Sequence, residues 1–169
     1  TKARLPWLVL ALFGGFISVK VLGVFEPMMN SHRMLLFFTP LIAAMAGNVG
    51  VQSSAIVVQG LANNSITGSL WNRLLKELSL SLLNGSILAV ILILGTHFLL
   101  GYEFIIGITV SIALLSVIVV ASLIGTFIPI VLDKYGVDPA LATGPFITTS
   151  NDILGIIIYF SIARMVLGI

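Results

Sequence analysis

The chain has no cysteine, which removes disulfides, thiol nucleophiles and thiolate metal ligands from consideration. Charge is almost as scarce. Asp, Glu, Lys and Arg make up 8% of the 169 residues, where a soluble domain carries about 25%. A water-soluble fold is excluded on that ground. The net charge of +2 is small, and no basic patch interleaves with aromatics, so a nucleic-acid partner is not expected. Only two histidines occur, His32 and His97. They do not stand at metal-ligand spacing, and His97 is read as an interfacial residue at the end of a span. There is no phosphate-cradling glycine loop and no nucleophile–base constellation, so an enzyme is not expected. Internal repeats and low-complexity tracts are also missing.

What the chain has is apolar length. Hydrophobic residues make up 59% of it, and mean hydropathy is +1.19. The apolar residues gather into five runs, at about 5–25, 34–62, 78–100, 104–132 and 139–167. A helix needs about 20 residues to cross about 30 Å of hydrocarbon. Backbone facing lipid must satisfy its own hydrogen bonds, so the runs are expected to be helices. The reading is an all-α membrane protein, with residues 1–169 forming a single transmembrane domain. The first run lacks a clear cleavage site and is one of several similar spans, so it does not read as a signal peptide. Pro6 and Trp7 suit its start, Gly14, Gly15 and Ser18 form a small patch for close helix approach, and Lys20 can snorkel. Five spans put the termini on opposite sides. Placing the N-terminus in the cytoplasm gives that side Lys2, Arg4, Arg73, Lys76 and Lys134, in agreement with the positive-inside rule. Residues 63–73 read as a polar loop.

The fifth run carries Asp152 near its middle. A carboxylate at that depth is costly unless it faces water, protein or a cation. Pro145, Thr148, Asp152, Gly155 and Tyr159 follow helical spacing along one stripe. Pro145 brings no N–H to the carbonyl one turn earlier, and the backbone oxygen of Thr148 lies within reach of a ligand beside Asp152. The competing reading is an Asp paired with a polar group on a neighbouring helix. The second run holds two stripes. Ala43, Gly47, Gly50 and Ser54 are small and suit close contact; Asn48, Gln52, Ala55 and Gln59 are mostly amides. Pro40, Gly47 and Gly50 permit a break near Asn48. The amides fit either a water-filled pathway or a packed polar seam. In the fourth run, the hydroxyls of Thr109, Ser111, Ser116, Ser122 and Thr126 are expected to bond back to their own helix.

The runs FFTPLIAAMAGNVGVQSSAIVVQGLA and DPALATGPFITTSNDILGIIIYF, with the opening RLPWLVLALFGG, resemble the membrane domain of MgtE magnesium channels. The resemblance covers essentially the whole chain. It implies a homodimer of five-helix subunits in the plasma membrane, with the second and fifth helices of both lining one central pore. It implies Asp152 as the magnesium-selecting carboxylate, helped by the backbone oxygen of Thr148. Asn48, Gln52, Gly47, Gly50, Pro145 and Gly155 would line the pore. It also implies that Asp138 faces the cytoplasm, beside a regulatory module. That module, an N-terminal domain, paired CBS domains and a connecting helix, is expected to precede the first span in the full-length protein. One position departs from the pattern: Val51 stands where the family often has an amide, so polar contributions there fall to Asn48 and Gln52.

Magnesium prefers octahedral oxygen coordination and gives up its waters reluctantly. The function expected from the resemblance is therefore a magnesium-selective channel passing hydrated cations, with Mg2+ as both transported ion and ligand. Two other readings stay open. One is a proton-coupled transporter in which Asp152 alternates between protonated and ionised states. The other is a non-transporting assembly subunit whose polar stripes serve only helix pairing.

Overall fold

Five helices are long and apolar enough to cross a membrane. In the computed structural model, which describes residues 2, 4–65 and 69–168 (side chains of 141–143 excepted), they are α1 (Leu5–Val24), α3 (Arg33–Ala62), α4 (Leu70–Leu94), α5 (Phe104–Lys134) and α6 (Pro139–Leu167). A short α2 (Glu26–Ser31) occupies the first link, and α4 runs on into a single π turn, Gly95–Leu99. Short connections make successive spans antiparallel. The side on which α1 begins is called the near side below.

The helix starts follow local chemistry. Pro6 lies in the first turn of α1 and Pro139 in that of α6, where a missing N–H costs nothing. Asp138 caps α6 by accepting a hydrogen bond from the Ala140 N–H at 2.9 Å. Ser69 caps α4 by accepting from the Asn72 N–H at 3.3 Å. That cap starts the third span at Leu70, so residues 70–73, expected in a loop, are helical. Residues 66–68 of the expected loop lie outside the described residues. The chain leaves the π turn through Gly101, whose φ of +70° suits glycine.

α5 is the central post. It packs along α3, α4 and α6, and α6 packs also on α1 and α3. Among the described residues α3 and α4 do not pack along one another, so a groove runs between them with α5 as its floor. The core joins Leu35, Phe38, Ile42 and Ala46 of α3 to Val110, Ala113, Val117 and Ile118 of α5 and to Tyr159, Phe160 and Ala163 of α6. Glycines bring these helices together. A Cβ on Gly125 would meet the Gly50 backbone, and one on Gly14 would meet Thr149. The Tyr159 hydroxyl donates to the Leu35 carbonyl at 2.7 Å, so this buried phenol is satisfied.

The α5 hydroxyls divide. Thr109, Ser116 and Ser122 donate to the carbonyls of Ile105, Ile112 and Val119. Ser111 and Thr126 do not follow this pattern: their buried oxygens have no partner. Both face the tightly packed side of α5, where rotation toward a carbonyl competes with the fit against neighbouring helices.

Candidate functional site

Two neighbouring residues of α6 set up the site. Asn151 is fully buried, and its Nδ2 donates to the Ala46 carbonyl of α3 at 3.0 Å. Its Oδ1 is buried without a partner. This bond fixes the depth of α6 against the middle of α3. Asp152, the next residue, is half-buried and has no hydrogen-bond or ion-pair partner among the described residues. It lies close to the middle of α6, about 20 Å along the axis from Pro139. Pairing within the subunit, the competing reading of this carboxylate, is not seen.

One turn earlier, the Thr148 hydroxyl donates to the Gly144 carbonyl at 3.0 Å and also lies 3.3 Å from the Pro145 carbonyl. Its hydroxyl is thus used locally, around the position where Pro145 withholds an N–H. The Thr148 carbonyl keeps a second lone pair beyond its helical bond, as any carbonyl does. Among the described residues no group of three His, Asp or Glu side chains is placed to grip a metal ion. One lone carboxylate per chain suits an ion that keeps its waters, or one shared between two copies.

The other expected residues separate into two settings. Gly50 and Gly155 lie inside the helix packing, Gly50 against Asn151 and Ile147, Gly155 against Ala46 and Val117. Tyr159 is buried as well. Gly47 and Gly144 border open space, and Pro145 is half-buried. On the near side of Asp152, α3 and α6 border an open groove of about 360 Å³ lined by Val51, Ser54, Ala55, Gln59, Gly144 and Ile147. Asn48, Gln52, Ala55 and Gln59 are all exposed along one side of α3. Asn48 and Gln52 also line a cavity of about 480 Å³, together with Glu77 and Asn84 of α4. Glu77 accepts a hydrogen bond from the Ser53 hydroxyl at 2.5 Å.

Sequence reasoning did not single out Asn151 or Glu77. Asn151 stands beside Asp152 in the TTSND run, and an amide at that depth was itself a signal. Glu77 was hidden by its position, because the third span begins at Leu70 and so carries this residue two turns inside the helix. Asp138 is exposed at the near-side end of α6, where its cap role is visible.

A family model described as a divalent cation transporter, MgtE, matches residues 39–162. The chain is also similar to proteins named magnesium transporter MgtE. It is 39% identical over 161 residues to that of Bacillus subtilis (strain 168), covering 95% of this chain and 36% of the relative. Identity to the Enterococcus faecalis protein is 38% over 167 residues, covering 96% and 36%. Identity to the Thermus thermophilus protein is 32% over 166 residues, covering 98% and 36%. This chain therefore spans only about a third of each relative's length, and it belongs to the MgtE family of divalent cation transporters.

Proposed function

We propose that this chain is the pore of a magnesium-selective channel that passes hydrated divalent cations. The observation that carries the reading is Asp152: a mid-membrane carboxylate without a partner among the described residues of its own subunit. The names of the relatives supply the ion. Two subunits related by a two-fold axis would bring two such carboxylates to one hydrated Mg2+, with α3 and α6 of each facing the axis. The Thr148 carbonyl and the amides of Asn48 and Gln52 would accept hydrogen bonds from the ion's waters. Gly47 and Pro145 would border the path, and Gly50 and Gly155 would set the helix spacing behind it. A ring of carboxylates selects cations, and the retained waters let them leave.

The protein would lie in the plasma membrane with the near side cytoplasmic. Asp138 would then face the regulatory module proposed to precede α1 in the full-length protein. The test is magnesium flux into liposomes through the wild type and Asp152→Asn. Flux with single-channel conductance that falls at least about tenfold in the variant supports the reading. Flux that depends strictly on a pH gradient, without conductance, would replace the channel by a carrier. Unchanged flux in the folded variant would remove Asp152 from the mechanism.

A further inference from the structure

The groove between α3 and α4 changes character along its length. Its far-side half is apolar, lined by residues such as Phe38, Leu41, Leu88, Leu92 and Leu99. Its near-side half is the 480 Å³ cavity, where Glu77, Asn48, Gln52 and Asn84 meet above a floor that includes Ser122. Depth follows from helix geometry. Glu77 lies about 10 Å along α4 from Leu70, and Asn84 about 20 Å along it, level with the middle of the span. Asn48 occupies the middle of α3.

These polar groups are not paired with one another. Ser53 supplies the carboxylate with a single hydrogen bond. Arg73, one turn earlier on α4, makes no ion pair with it, and Asn48, Gln52 and Asn84 have no side-chain hydrogen-bond partner among the described residues. Lipid tails cannot satisfy a carboxylate and three amides. We infer that the near-side half of this groove is an off-axis cation site, in which Glu77 with Asn48, Gln52 and Asn84 holds a hydrated divalent cation. The chemistry fits on three counts. One carboxylate without two further anionic ligands matches an ion that keeps its water shell. Six waters at about 30 Å³ each occupy about 180 Å³, well within the cavity. The amide oxygens accept from those waters, while the Ser53 hydroxyl holds the carboxylate toward the groove. The site has its own carboxylate, Glu77, while Asn48 and Gln52 are shared with the proposed pore path; the ion count at Glu77 does not depend on the pore reading.

The test counts Mn2+ bound to the protein in lipid nanodiscs, by electron paramagnetic resonance with Mg2+ as competitor. Wild type is compared with Glu77→Gln, Asp152→Asn and the double variant. Glu77→Gln is expected to lose about one Mg2+-displaceable ion per chain, whereas Asp152→Asn loses about half an ion per chain, because a two-fold axis shares that ion. Loss at Glu77 with retention at Asp152, or the reverse, decides the two sites independently. Asn84→Leu guards against misfolding: this residue is exposed and unbonded, so its thermal midpoint should hold while Mn2+ affinity at the Glu77 site falls about fivefold or more. An unchanged ion count in folded Glu77→Gln, with the groove filled by water or by the partner subunit, overturns the proposal.

Discussion

Asn151 and Asp152 are about 100° apart around α6, and that rotation separates a structural amide from a free carboxylate. Asn151 is turned into the subunit, onto the Ala46 carbonyl. Asp152 is turned out of the tightest packing and has no partner among the described residues. Asp152→Asn therefore keeps shape and depth and removes only charge. Magnesium binding is expected to weaken at least about tenfold, with ion discrimination reduced and the fold retained, as read by calorimetry on folded protein. Asp152→Glu should fall between, since it keeps the charge but moves it by a methylene. A second comparison concerns the α3 ridge. Asn48→Leu or Gln52→Leu should lower magnesium flux more than Ser116→Ala, because the Ser116 hydroxyl bonds back to Ile112 of its own helix. Equal losses at matched expression would reduce the amides to helix glue.

At the scale of elements, glycine contact holds α3, α5 and α6 together. Gly125 meets the Gly50 backbone, and Gly50 in turn faces Asn151. Gly125→Ala is expected to force α5 from α3 and destabilise the bundle by about 1–3 kcal/mol, read as a lower thermal midpoint in detergent. Transport should fall with it, because the Asn151 anchor beside Asp152 belongs to the same crossing. At the near-side end, Asp138→Ala removes the cap of α6 and is expected to cost about 1 kcal/mol by the same measurement. Much of this layer was legible in the residues. The spans followed from apolar length, and the shared face of Asn48, Gln52, Ala55 and Gln59 followed from their spacing. The start of α4 was not, because the polar residues at 69–73 resemble a loop until Ser69 is seen to cap. The inward turn of Gly155 and Tyr159 was not legible either. A helical stripe shows which residues share a face, but not which neighbouring helix covers part of it.

At the scale of the molecule, the proposed pore needs a second subunit, because Asp152 has no partner among the described residues of its own. A dimer is expected in lipid, with α3 and α6 of each copy facing the axis. Cross-linking through cysteines introduced at Val51 or Ala55, both exposed beside the open groove between α3 and α6, should trap it. A stable, conducting monomer would end that reading. The arrangement of contacts around α5 also governs how the chain is made. Among the described residues α1, α3 and α4 do not pack along one another; each rests on α5 or α6. During synthesis these three spans reach the bilayer before either partner has left the ribosome. For that interval the Glu77 carboxylate and the α3 amides have no α5 to close over them, and α1 has no companion at all. Final assembly of the bundle is thus postponed until α5 arrives as the most apolar span and the earlier helices collect around it.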